Sequence, residues 1–148
     1  LYASTGLAAE VPRLANERSI AVVLGVWLGR DDNNNRREIE SALYLANHYP
    51  NVRAIVVGNE TILRNEWGVT ANDKQPSVEE LLKYLRELRR RSRVPITTGE
   101  TWDIWEKFPE LVPEVDFISA HILPYWEFIP ADGALEFTWS RYDLLKEL

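Results

Sequence analysis

Four short apolar segments, Ala21 to Trp27, Val52 to Val57, Val94 to Thr97 and Val115 to Ala120, are separated by stretches of a different period. These β-branched runs lack a polar alternation, so each reads as a strand covered on both faces. The stretches between them carry helical spacing. Leu7 to Arg18 repeats apolar residues at Leu7, Ala8, Val11, Leu14 and Ala15, and Arg36 to His48 does so at Ile39, Ala42, Leu43 and Ala46. Ser77 before Val78-Glu79-Glu80 supplies a cap and first-turn acids, opening a third helix to about Arg91. A last helix is expected over Leu135 to Leu148. Strands alternating with helices in this way pair in parallel through right-handed crossovers, which makes the fold class α/β.

Two architectures satisfy that alternation, an open doubly wound sheet and a closed (β/α)8 TIM barrel. No Gly-x-Gly-x-x-Gly follows any strand and no Gly-x-x-x-x-Gly-Lys loop is present, so the nucleotide-binding forms of the open sheet lack support. Each strand instead ends in polar and aromatic residues. Trp27 follows the first; Asn59 and Glu60 the second; Glu100 and Trp102 the third; His121, Tyr125 and Trp126 the fourth. In a barrel the carboxyl ends of the strands converge on one mouth, so these residues would share one site. Gly29 to Asn35 reads as a short polar loop, and Glu66 to Gln75 as a longer one of the kind that borders a substrate cleft.

Composition narrows the chemistry. A chain of 148 residues, 45% apolar, reads as one folded unit, and the absence of cysteine removes disulfides, thiolate metal sites and cysteine nucleophiles. A net charge of -6 disfavours nucleic acid, and Arg89-Arg90-Arg91 reads as a solvated helix end favoured by the macrodipole. The longest apolar runs fall short of the roughly 20 residues that cross a bilayer, and no signal peptide is legible. Neither the lone His48 nor His121 has a His-x-His or His-x-x-x-His partner, so no metal and no cofactor is expected. The chain begins at Leu1 and contains no methionine, from which a piece of a longer protein is expected.

Cleaving a glycosidic bond requires a proton donor to the leaving oxygen and usually a second carboxylate acting on the anomeric carbon. Sugar C–H faces stack on Trp and Tyr, while their hydroxyls need Asn, Glu or His. The four strand ends offer that mixture. Glu60 is the candidate acid/base, because an apolar strand and Trp neighbours would take it out of water, and Asn59 would hold a hydroxyl beside it. The competing reading is a carboxylate that caps the next helix or pairs with Arg64. Glu100 belongs to the same mouth or caps the segment at Trp102. His121, Tyr125 and Trp126 form a substrate wall, or else pack as ordinary core.

Val57-Gly58-Asn59-Glu60, Thr98-Gly99-Glu100-Thr101-Trp102 and His121-Ile122-Leu123-Pro124-Tyr125-Trp126-Glu127 together resemble glycoside hydrolase family 17, in its bacterial branch, over essentially the whole chain. The resemblance implies a (β/α)8 barrel that acts on β-1,3-glucan oligo- or polysaccharides with retention, by hydrolysis or by transfer to another sugar. It implies that Glu60 follows the fourth barrel strand as acid/base, that Asn59 contacts the reacting sugar, and that Tyr2 ends the second strand. Glu100 is then left to substrate binding or to tuning Glu60. The family nucleophile stands in a Glu-x-Gly-Trp-Pro context on the seventh strand, which these residues do not contain. The chain is therefore expected to span strands 2 to 6 with their helices, as a partial barrel without the first, seventh and eighth strands, inactive alone. Membrane association or a cell-envelope or periplasmic location of the parent protein is a further expectation of the resemblance.

Two other classes remain. A noncatalytic carbohydrate-binding or degenerate barrel would bind glucan through Trp27, Tyr125 and Trp126 without turnover. An aldolase or isomerase barrel would want a strand-end lysine and a phosphate-binding glycine segment, and neither is present.

Overall fold

In a computed structural model describing residues 1–67 and 75–148, the four apolar runs become β1 (Val22–Val26), β2 (Val52–Asn59), β3 (Ile96–Thr101) and β4 (Ser119–His121). They form one parallel sheet in the order β1-β2-β3-β4. The fourth strand is shorter than expected. Ahead of it Asp116 clasps Ile96, its N–H donating to the Ile96 carbonyl at 2.9 Å and its carboxylate accepting the Ile96 N–H at 2.8 Å, and the ladder with β3 begins only where Gly99 meets Ser119. The helices are α1 (Val11–Asn16), α2 (Asp32–His48), α3 (Thr61–Glu66), α4 (Val78–Arg91), α5 (Trp102–Lys107) and α6 (Ala134–Leu145).

A strand order that follows the chain means every crossover steps the same way, and right-handed crossovers then place the helices on one face. Accordingly α2 packs on β1 and β2, α4 on β2 and β3, and α5 on β3 and β4. A doubly wound sheet would reverse its order at a switch point, and the described strands contain no reversal. The core lies between the layers. Leu24, Ile55 and Ile96 from the sheet meet Ile39 from α2, Leu81, Leu85 and Leu88 from α4, and Trp105 from α5, all without exposure. Truncating any of these leucines to alanine would cost about 2–5 kcal/mol.

Local chemistry sets where the helices begin. The expected helix over Leu7 to Arg18 is split into a 3-10 turn, Gly6–Glu10, and α1, because Pro12 has no N–H to give to Ala8 and is tolerated only in a first turn. The Gly29-to-Asn35 loop is shorter than expected. Asp31 accepts the Asn33 N–H at 2.9 Å and starts α2 within that run. Ser77 caps α4 as expected and, with Glu80, closes a reciprocal capping box, while Arg89, Arg90 and Arg91 stand in the last turn. The short helices α3 and α5 were not foreseen, since six residues are too few to show a period. Residues 68–74 of the Glu66-to-Gln75 excursion lie outside the described residues.

The opposite face of the sheet is open. Val23, Gly25, Val56, Gly99, Ser119 and His121 line a hollow there together with Leu1 and Tyr2. No strand forms at Tyr2, contrary to the expectation that it ends one. Leu1 instead donates from its nitrogen to the Val23 carbonyl at 2.9 Å and lies over Gly25, where a Cβ would fall 2.3 Å from the Leu1 oxygen. Only glycine admits that approach.

Candidate active site

The end of β2 is built by a bulge and a one-residue turn. Val56 pairs with Thr97, but the next register partners are Asn59 and Gly99, so three residues advance against two. Gly58 takes the slack at φ 81°, and a Cβ on it would meet the Thr61 hydroxyl at 2.4 Å. The extra residue turns Asn59 onto the open face beside Gly99. Glu60 alone then joins β2 to α3, in the left-handed region at φ 48°, ψ 37°, which costs about 1–2 kcal/mol for a residue with a Cβ. Its N–H donates to the Gly99 carbonyl at 2.6 Å, and its own carbonyl accepts the first bond of α3 from the Arg64 N–H at 2.9 Å.

So placed, Glu60 Oε1 shares a 2.7 Å hydrogen bond with His121 Nδ1 from the end of β4, and both side chains keep between a quarter and a third of their exposure. The pair stands between two hollows. On one side are Tyr2, Trp27 and Asn59; on the other are Trp67, Thr101, Trp102, Asp103, Trp126 and Glu127; Leu123 borders both. A carboxyl oriented by an imidazole between two aromatic-walled hollows can pass a proton to an atom that bridges them.

Of the residues expected at the mouth, Tyr2, Trp27, Asn59, Glu60, Trp102, His121 and Trp126 line these hollows. Trp102 is tied to the Glu127 carboxylate through its indole N–H at 2.8 Å. Tyr125 is not brought in. It is 81% exposed and lies edge-on to Trp126, lining neither hollow.

Glu100 also lies elsewhere than expected. Side chains alternate along a strand, so with Gly99 on the open face Glu100 turns toward the helices, alongside Ile96 and Thr98. It has no exposure and therefore offers no surface to a substrate. It is a cap, though for α3 and not for the segment at Trp102: its oxygens accept the Ile62 N–H at 3.0 Å and the Leu63 N–H at 3.4 Å. Burial pushes it up to about 7, opposed by the amides of Ile62, Leu63 and Thr61 and by the charge of Arg64.

Two supporting roles were not foreseen. Arg64 does not pair with the Glu60 carboxylate; its guanidinium meets main-chain oxygens and stacks on Trp27 at 4.6 Å. Burial lowers its proton affinity, while the Glu100 and Glu60 charges raise it. Glu38, a buried carboxylate on α2, accepts from the Ser4 N–H at 2.8 Å, the Ser4 and Thr5 hydroxyls and the Trp27 N–H at 3.2 Å. It thereby ties the segment carrying Tyr2 to the strand end carrying Trp27. A charged residue inside the apolar stripe of α2 was the available signal. Glu38→Ala should cost about 3 kcal/mol in urea denaturation, because buried donors lose their acceptor. It should also speed hydrogen exchange at Ser4 and Trp27. An unshifted midpoint would exclude this anchoring role.

Known proteins place the chain. The BtgE/BtgC glycoside hydrolase domain profile matches residues 1–148. "Probable glucan endo-1,3-beta-glucosidase btgC" of Aspergillus clavatus is 27% identical over 130 residues, covering 82% of this chain and 18% of that protein. Its counterpart in Aspergillus flavus is 24% identical over 134 residues, with 85% and 18% covered. "Glucan 1,3-beta-glucosidase" of Schizosaccharomyces pombe is 26% identical over 121 residues, with 79% and 37% covered. The chain thus spans about a fifth of the length of the Aspergillus relatives. No solved structure matches it. With its whole length matched by one domain profile, the chain belongs to the BtgE/BtgC glycoside hydrolase domain family.

Proposed function

We propose that the full-length protein is a retaining glycoside hydrolase or glucanosyltransferase acting on β-1,3-glucans, with Glu60 as its acid/base. The observation that carries this reading is the Glu60 carboxyl, set on a strained strand-to-helix turn, oriented by His121 and flanked by two aromatic-walled hollows. The β-1,3 linkage follows from the relatives, which are named as glucan 1,3-β-glucosidases. In this reading Asn59 holds a hydroxyl of the reacting sugar, while Trp27 and Tyr2 on one side and Trp102 and Trp126 on the other stack against sugar faces.

Glu60 protonates the glycosidic oxygen as a second carboxylate, about 5–5.5 Å away, attacks the anomeric carbon. Glu60 then takes the proton from the water or sugar hydroxyl that releases the glycosyl-enzyme. The second carboxylate belongs, by the family 17 resemblance, to a seventh strand. Glu100 is unsuited to that part because it faces the helices. The consecutive strand order with helices on one face favours a (β/α)8 barrel, of which this sheet is one arc. Placement in the bacterial branch rests on the three motifs, since the relatives named above are fungal. A cell-envelope location is part of the same proposal.

Incubating the full-length protein with laminari-oligosaccharides tests this. Products longer than the substrate would mark transfer, and shorter products alone hydrolysis. Retained binding without any turnover would replace the catalytic reading with a carbohydrate-binding barrel.

A further inference from the structure

Arg64 lines neither hollow, yet its guanidinium reaches every backbone segment from which Glu60 and Trp27 project. Nε donates to the Asn59 carbonyl at 3.1 Å and the Glu60 carbonyl at 3.2 Å, on the two sides of the left-handed turn. One terminal nitrogen donates to the Leu28 carbonyl at 3.3 Å, next to Trp27, and the other to Gln75 Oε1 at 3.0 Å. The plane of the same group stacks on the Trp27 ring.

We propose that Arg64 is a positioning residue that locks the Glu60 turn and the Trp27 platform into one rigid unit. This rests on the acid/base role proposed for Glu60. A left-handed residue with a side chain persists only where its surroundings over-determine it. Two main-chain oxygens at the turn directed to one guanidinium provide that constraint. Lysine carries the charge on a single nitrogen and has neither the planar fork nor the stacking face, so it does not substitute. Because the Leu28 carbonyl, the Trp27 ring and the Glu60 turn share the same clamp, a shift at one is passed to the others.

In the full-length protein, Arg64→Lys and Arg64→Ala should lower kcat about 10²-fold, the scale of a misplacement near 1 Å, while KM on laminari-oligosaccharides changes less than about threefold. Added guanidinium ion should restore part of the activity of Arg64→Ala. Hydrogen exchange at the Glu60 amide, read on the same variants, should quicken about tenfold with the amides of Ile55 and Val57 unchanged. A wild-type protein without turnover would sink the acid/base role of Glu60, and the amide measurement still decides the clamp. An unchanged Glu60 amide, or exchange quickened equally throughout the sheet, would overturn the proposal, as would variants with wild-type kcat.

Discussion

Glu60→Gln in the full-length protein is expected to lower kcat on laminari-oligosaccharides by roughly 10³-fold, within the range for loss of a positioned general acid. Glutamine fills the same space and keeps a hydrogen-bonding group beside His121, so the fold and substrate binding should survive. The loss should shrink on aryl glucosides whose leaving group departs without a proton, because only the acid step is relieved there. Azide, a nucleophile that needs no base, should then raise the rate of breakdown of the glycosyl-enzyme. Activity within threefold of wild type on the natural linkage would assign Glu60 to the turn and not to the chemistry. A decrease confined to KM would make it a binding group.

The second large effect concerns stability and resides in Glu100. Its carboxyl is raised from 4.5 to about 7 by burial. The folded state therefore holds a proton that the unfolded state has lost between those values, and stability falls as pH rises through that window. The contribution is fully present below pH 4.5, where both states are protonated, and is gone above pH 7. That displacement corresponds to about 3 kcal/mol. Other carboxylates titrate in the same range, so the comparison is between wild type and Glu100→Gln. The two urea-derived stability curves should draw apart by about that amount from pH 4.5 to 7, with the variant favoured at the higher pH. Curves that stay parallel would show that Glu100 ionises without cost, through water reaching the base of α3.

The same position shows how far the sequence could be read. That Glu100 ends a strand was legible from Pro95-Ile96-Thr97-Thr98-Gly99, but the direction of its side chain was not drawn from it. Ile96 lies four residues earlier on the same face and is core, so parity already turned Glu100 toward the helices. Tyr125 fails for another reason. The 3-10 turn Pro124–Glu127 presents successive side chains in different directions, and Trp126 takes the place at the hollow. Asp103 on α5 and Trp67 just past the end of α3, which also line it, are placed by helices too short to be read in advance.

What the sequence determined by itself is local or periodic. Apolar runs without alternation became parallel strands, Ser77 with Glu80 started α4, and Glu60, Asn59 and Trp27 were marked by ending strands whose ends converge. What the tertiary structure decided depends on register and on partners distant in the chain. The bulge at Gly58 chooses the face of Asn59, because one extra residue against β3 inverts the alternation, and no residue of β2 alone records where β3 sits. The hydrogen bond between Glu60 and His121 joins residues 61 apart, and Glu38 meets Ser4 from 34 residues away. Such pairings exist only once crossovers and ladder have fixed the spacing of the strands, which is a property of packing and not of any segment.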